Sequence, residues 1–573
     1  MIIQALQALQ HECGYLPRPR LEQLARELGV PLYRLHEVAS FYPHFRMTPP
    51  PAVGLKVCRD LSCHLRGSAD LLRDLDGLAG DHAGQRVEVG GTSCLGRCDR
   101  APAACVNDHH FYLGRSAGGL REVVAGFLRG QALPADTDAA HDRRDPDRPW
   151  LIDVYAGDPK LDPFDAARKY AAARGPDLLE ELRAADLRGM GGAQLPAAGK
   201  WKDVADAEGD EKFVVVNGDE SEPGTFKDRE LLLRVPHLVV EGLILAGLFT
   251  GATQGFIFIR HEYPEQVAAV RAAVDQARRL AREDRRRGLP DWSLRIEVVV
   301  SPGGYICGEQ SALVETLEDR RAEPRNKPPA LETNGLRDRP TLVSNVETYA
   351  WVPAIYLKGG AWYRDRGVRG KKGLRFFSVS GDVERPGVFE VPNGTTVGEL
   401  LALAGGVTGG RGLKALAPSG PSGGFLPRRV RPPVRPGSPP LDPVDLLEMP
   451  VDLDAFRALG SMLGAGVVAY GPDADVVAQA RSGAEFFRNE SCGKCVPCRV
   501  GSQKIAEAAS GLHRGKYDAA RWEKIAPLVA ELAAAMELTS ICGLGVVAAA
   551  PLTSVVQHFP GEVERCLRRT PPA

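Results

Sequence analysis

Long apolar runs are missing from this 573-residue sequence. None approaches the roughly 18 to 20 uninterrupted residues that span a bilayer. The most apolar stretch, Leu238–Gly251, is too short and carries Glu241. The opening residues Met1–Cys13 have no basic leader, and Gln, His and Glu interrupt their apolar positions, so no secretory signal is expected. Charge excess is missing too, with 72 Lys and Arg against 73 Asp and Glu. No nucleic-acid or anionic-membrane partner is therefore expected. Aromatic residues are scarce at 6%, whereas 63 Gly and 44 Pro promise many turns. The expectation is a cytoplasmic chain without direct membrane insertion, long enough for about three to five domains.

What is present is cysteine, twelve residues of it in an uneven pattern. Four fall between Cys58 and Cys98, three between Cys492 and Cys498, and Cys542 follows. Close pairs in a cytoplasmic chain read as metal ligands rather than disulfides. In Cys492-Gly-Lys-Cys495-Val-Pro-Cys498 the two-residue gaps place three thiolates around one corner of a cube. The distant Cys542 completes a 4Fe-4S set, with structural zinc as the alternative. The pairs Cys58/Cys63 and Cys94/Cys98 suit a 2Fe-2S centre with one pair on each iron, again with zinc as the alternative. His64 is not a Rieske ligand, because no His accompanies the second pair; an exposed or capping role is expected. Cys13, Cys105, Cys307 and Cys566 read as packing residues.

Periodicity divides the chain. Residues 1–48 show short helices broken by Pro17, Pro19 and Pro31. Residues 49–132 form a small α/β unit with a strand at Val87–Val89 and a hairpin from Ala104–Asn107 to Phe111–Leu113. Residues 133–150 are polar, charged and proline-containing, the composition of a linker. Across 151–372 the apolar runs Phe213–Asn217, Phe256–Arg260 and Arg295–Val300 alternate with helical segments, an α/β layered pattern. Residues 373–473 read as a β-grasp-like module, with Gly420–Pro440 expected as an exposed loop. Residues 474–573 read as helical.

Three further motifs lie in the α/β region. Leu187-Arg-Gly189-Met-Gly191-Gly192 runs on to Gly199-Lys200-Trp201, and such glycines let backbone amides approach phosphate. Val216-Asn217-Gly218-Asp219-Glu220-Ser-Glu222-Pro-Gly follows a strand, where acids suit sugar or ribityl hydroxyls. Gly303-Gly-Tyr305-Ile-Cys-Gly308-Glu309-Gln310-Ser again combines glycine, an aromatic ring, acid and amide. Each alone has a plain structural reading as a turn or a solvated loop.

Their order, continued by EPRNKPPA, RPTLVSNVET, ESCGKCVPCRVG and SICGLG, resembles the flavin-bearing NADH-oxidising subunit of complex I and its relatives. Those relatives include diaphorase subunits of NAD-reducing hydrogenases and of NAD-dependent formate dehydrogenases. Residues 1–130, through LQHECGYLP, EVASFYPHF and CLGRCDRAPAACVN, resemble the small 2Fe-2S partner of the same enzymes. The resemblance implies a multidomain α/β fold: a thioredoxin-like 2Fe-2S domain, a Rossmann-like FMN/NAD domain, a β-grasp module and a helical 4Fe-4S bundle. It implies FMN held by Gly189, Gly191, Gly192, Lys200, Asn217, Asp219, Tyr305, Gly308, Glu309, Val343, Asn345 and Thr348. It also implies NAD(H) contacts at Gln310 and at Glu220 and Glu222, the two acids placed at the catalytic position. Met190, Gly218 and Gln310 resemble the formate dehydrogenase branch most. The implied partner in a hetero-oligomer is then a molybdenum- or tungsten-pterin formate dehydrogenase subunit, with a hydrogenase or another redox subunit as the alternative. Relatives place aromatic rings around the adenine where this chain has Leu195, Asp203 and Ala330, so weaker nucleotide binding is expected.

Overall fold

The computed structural model describes residues 2–82, 84–132, 135–141, 148–173, 175–433 and 441–568. Parts of the expected linker (133–134 and 142–147) and of the expected loop (434–440) lie outside the described residues.

Three N-terminal helices, Ile2–Cys13, Arg18–Leu28 and Leu32–Phe41, put Leu6, Leu21 and Leu35 into one core. That core continues into Phe213, Phe256 and Leu313, so the helices pack on the large α/β body rather than standing apart. Tyr42 seals the contact, its hydroxyl 3.0 Å from Thr316 Oγ1 and donating to Arg320 O at 2.5 Å.

The strand Val53–Cys58 lies at the centre of a five-stranded sheet, parallel to Gln85–Thr92 and antiparallel to Ala103–Val106. The expected hairpin closes one side as Ala103–Val106 against His110–Leu113. Helices Ser68–Leu75 and Ala117–Leu128 contribute Leu71, Leu75, Leu120 and Val124 to its core.

The body is built on four parallel strands in the order Arg295–Val300, Gln254–Ile259, Phe213–Gly218, Thr341–Asn345. Gln254–Ile259 is buried along its whole length, as an inner strand covered on both faces should be. Arg295–Val300 alternates in exposure, as its edge position allows. Helix Pro236–Thr250 is apolar all round because protein covers it on all sides, not because it meets lipid. Among the described residues no single helix is long and apolar enough to cross a membrane. Lys227–Arg234 and Pro236–Thr250 pass such a test only as a pair, one bent by 91°.

The next module is a mixed five-stranded sheet with Leu374–Gly381 and Gly466–Tyr470 at its centre. Its helix Val397–Leu403 begins with a capping box from Thr396 and Glu399. The first part of the expected exposed loop is strand instead: Gly420 and Pro421 end a buried strand, and Leu426–Pro427 and Arg429–Val430 pair into sheets. Ala415–Pro421 is a wholly buried strand paired with Gly466–Tyr470, and Leu426–Pro427 extends that sheet. The Gly and Pro content reads as exposure in sequence, but the strand pairing buries it. The remainder is helical: Val476–Glu490, Val496–His513, Ala519–Thr539, Ala550–His558 and Pro560–Leu567. Val496–His513 starts well before the expected helix at Gly501, and Pro497 in its first turn removes no needed N–H.

Candidate functional site

All four body strands point their C-terminal ends the same way. Strand order runs outward from Phe213–Gly218 and then jumps back to Thr341–Asn345 on its other side. The crevice between those two strands is a topological switch point, where open α/β sheets bind ligands.

The expected flavin residues gather there. Asn217 ends the first strand and donates from Nδ2 to Gly308 O at 2.8 Å, which draws the turn Tyr305–Gly308 over the crevice. A Cβ on Gly308 would lie 2.8 Å from Asp219 O, so this approach requires glycine. Asn345 ends the second strand and caps helix Val346–Lys358 through Glu347 N at 3.0 Å. Thr348 in that helix accepts from Met190 N at 2.9 Å, and a Cβ on Gly191 would lie 3.3 Å from Asn345 Cβ. These contacts bring the Gly189–Gly192 loop to the same strand ends. Lys200 donates to Val343 O at 2.7 Å and Gln310 Oε1 at 2.9 Å, with Glu332 3.4 Å away. Burial draws its ammonium below the usual lysine range. Glu309 accepts from Ser311 N at 2.9 Å and Ala312 N at 2.8 Å, capping helix Gln310–Leu317.

The buried polar atoms without a hydrogen-bond partner among the described residues include Asp219 Oδ2 in the crevice loop and Gln194 Nε2 in the Gly-rich loop. Burial pushes the Asp219 carboxyl up to about 6. A free acceptor and a free donor of this kind fit a polar ligand carrying hydroxyls and phosphate, as FMN does.

The two acids expected at the catalytic position differ from each other. Glu220 Oε1 and Oε2 accept from Asp228 N at 2.8 Å and Arg229 N at 3.0 Å, and Tyr263 OH lies 3.1 Å from Oε2. Both oxygens are thus engaged at the start of helix Lys227–Arg234. Burial, then the neighbouring Asp228, raises this carboxyl to about 8. Glu222 instead accepts from Tyr305 OH at 2.6 Å and Ser422 N at 3.2 Å, and burial raises it to about 7. Leu195 is 64% exposed, and Asp203 and Ala330 are exposed as well.

Both cysteine quartets assemble. Cys58, Cys63, Cys94 and Cys98 are buried, with Cys94 Sγ 3.5 Å from Cys98 Sγ and Cys58 within hydrogen-bonding reach of Cys63 and Cys94. Backbone N–H groups of Ala103 (3.4 Å from Cys63), Gly96 (3.4 Å from Cys94) and Gly224 (3.3 Å from Cys98) aim at the sulfurs. Amides directed at cysteine sulfur suit an iron–sulfur cluster. Gly224 belongs to the loop that leaves the crevice at Asp219, so one short loop joins the crevice to this cradle. Cys492, Cys495, Cys498 and Cys542 line one small pocket walled by Ile306, Pro324, Ile541 and Leu544. Burial raises the Cys498 and Cys542 thiols to about 11. Among the described residues no three His, Cys, Asp or Glu side chains gather as a single-ion site would gather them. The first quartet brings its sulfurs into mutual contact and the second lines a pocket, and both all-thiol donor sets fit iron–sulfur clusters.

Cys105, Cys307 and Cys566 are buried core residues, and Cys13 packs against the core. His64 is half-buried rather than exposed, its Nδ1 2.9 Å from Gln479 Nε2. Sequence reasoning missed Glu490, which accepts from Ser93 Oγ and, at 2.8 Å, from Tyr305 N. Three modules meet at that carboxylate, and no local motif announces it.

Comparison with known proteins agrees with this arrangement. Family models match as the Nuo51 FMN-binding domain (182–354), the thioredoxin-like [2Fe-2S] ferredoxin (1–126), the NADH-ubiquinone oxidoreductase-F iron-sulfur binding region (478–566) and the SLBB domain (376–426). The chain is 37% identical to the F 2 subunit of NADH-quinone oxidoreductase from Rhizobium meliloti, over 70% of this chain and 91% of the relative. It is 30% identical to the alpha subunit of the NAD-reducing hydrogenase HoxS of Cupriavidus necator, over 98% and 90%. A crystal structure of NAD+-reducing [NiFe]-hydrogenase superposes with a TM-score of 0.82 at 31% identity, covering 99% of this chain and 94% of that one.

Proposed function

Because this chain belongs to the family of flavin-bearing, NADH-oxidising subunits of complex I-like enzymes and NAD-reducing hydrogenases, we propose that it serves a molybdenum- or tungsten-pterin formate dehydrogenase subunit. It is an NAD(H)-dependent diaphorase subunit with FMN, a 2Fe-2S and a 4Fe-4S cluster. Bound FMN supplies the exchange between a two-electron hydride and the single electrons that clusters accept.

The chain's own residues would divide the work among themselves. The amides of Gly189–Gly192 and the Lys200 ammonium would face the flavin phosphate. Asn217 and the open Asp219 Oδ2 would take ribityl hydroxyls, while Tyr305, Gly308, Glu309, Val343, Asn345 and Thr348 shape the walls. Glu222 and Gln310 would meet the nicotinamide nucleotide. Glu220, with both oxygens engaged, would set the loop that carries Glu222. That loop reaches Cys98, and Tyr305 reaches Glu490 beside the helical module, so both cradles adjoin the crevice.

The trio Met190, Gly218 and Gln310 supports the formate dehydrogenase assignment. Complex I-type sequences usually carry Arg, Ala and a second acid there. At Gly218 a Cβ would lie 2.8 Å from Phe258 O, so even Ala would crowd this body. A second reading, service to a nickel–iron hydrogenase, is favoured by the match to a hydrogenase subunit over 98% of the chain. Metal analysis of the complex purified from its native cell separates them. Molybdenum or tungsten with formate-dependent NAD+ reduction supports the proposal, and nickel with hydrogen-dependent reduction overturns it.

A further inference from the structure

The segment 133–150 reads in sequence as a polar spacer, yet Asp138 within it is only 2% exposed. Its Oδ2 accepts from Arg97 Nη2 at 2.9 Å and from Gln266 Nε2 at 3.1 Å, and its Oδ1 accepts from Arg100. Arg229 Nε lies 3.9 Å from Oδ1. Arg97 and Arg100 flank the ligand Cys98, whereas Gln266 and Arg229 belong to helices of the flavin body. One carboxylate therefore touches both sides of the boundary between cluster cradle and body. The segment's backbone is held as well: Asp138 N and Ala139 N donate to Glu265 at 2.7 and 2.9 Å, and Asp138 O accepts from Arg234 at 3.2 Å. Around it, Arg229 donates to Gly96 O at 2.6 Å and twice to Asp99 at 3.0 Å, and Arg260 donates to Cys94 O at 2.6 Å.

A buried charge persists when its partners stay fixed, and removing one member leaves the others uncompensated. Burial alone would raise the Asp138 carboxyl, but the guanidiniums of Arg97, Arg229 and Arg100 hold it well below the usual range. It is an anion at any working pH.

We propose that Asp138 is a positioning residue, a clamp in the connecting segment that holds the Cys94–Cys98 loop at its working distance from the flavin crevice. The assignment rests on the cofactor reading above, so iron and flavin contents are measured alongside. Asp138→Asn keeps the shape but removes the charge that balances the arginines beside Cys98. Uncompensated positive charge favours a reduced cluster, so the 2Fe-2S midpoint potential rises, a change that a purely structural role would not produce.

The test uses the full chain in its complex, with clusters and flavin quantified. In Asp138→Asn, NADH reduction of the 2Fe-2S cluster, followed by rapid-freeze EPR, slows relative to the native chain. Its redox titration shifts upward, while NADH oxidation by ferricyanide, which needs only the flavin, stays near the native rate. If Asp138→Asn loses the cluster, Glu265→Gln is read instead, because it frees the segment's backbone and leaves the ion network in place. Slower cluster reduction in either variant supports the clamp. A native reduction rate with full iron and flavin overturns it, whatever the potential.

Discussion

Leu195 stands 64% exposed, with Asp203 and Ala330 also in solvent, and no aromatic ring occupies any of these three positions. Aromatic stacking adds about 0.5–1.5 kcal/mol beyond buried area. Installing two rings as Leu195→Phe with Ala330→Phe should tighten NADH binding by about tenfold if the adenine lies there. Titration of NADH against both proteins checks this, and equal or weaker binding in the double variant places the adenine elsewhere. Residues with local signatures were legible at this scale. The cysteine quartets declare themselves by spacing, and Asn217 by its position at the end of an apolar strand. The hydrogen bonds of Glu220 were not legible, because its partners are amides eight and nine residues further on, at a helix start that only folding brings back.

Helix Pro236–Thr250 carries its one acid, Glu241, into complete burial. Tyr155 OH donates to it at 2.6 Å and Ala167 N at 3.0 Å. Burial still raises its carboxyl to about 7, against 4.5 for an ordinary glutamate. Between those two values the folded chain keeps a proton that the unfolded chain has lost. Stability therefore falls as pH rises through this window and levels off above about 7. Glu241→Gln removes that proton equilibrium, so its melting temperature should fall less steeply than the native one between those pH values. Thermal melts at a series of pH values measure it, and parallel curves for the two proteins would refute the assignment. Elements were legible where one physical pattern dominates: the apolar runs Phe213–Asn217 and Phe256–Arg260 read as strands and lie in Phe213–Gly218 and at Gln254–Ile259, both buried. Thr341–Asn345 passed unread as a strand because it is short and follows Pro340. The start of the expected loop at Gly420 was misjudged because Ala415–Pro421 pairs with a strand some fifty residues away.

Across the whole molecule the four cysteines of the 4Fe-4S cradle lie on elements other than the crevice strands, although the Tyr305–Gly308 turn borders both through Ile306, so cluster and flavin can be lost separately. Cys542→Ser removes one of four cluster ligands without touching the strand ends at Asn217 and Asn345. The variant should lose the 4Fe-4S EPR signal and electron delivery to its partner subunit, yet keep flavin and oxidise NADH with ferricyanide. A full iron count with normal delivery would show that Cys542 is not a ligand. The modules themselves were legible from motif order, but their contacts were not. Glu490 reaches Tyr305 across 185 residues and Ser93 across 397, and composition carries no trace of such pairs. Because the segment around Asp138 ties the first module covalently to the second, their docking is an intramolecular equilibrium. A short tether sets an effective concentration of about millimolar order. The two halves therefore stay together at dilutions where separately made chains would part, and their stoichiometry is one to one at translation.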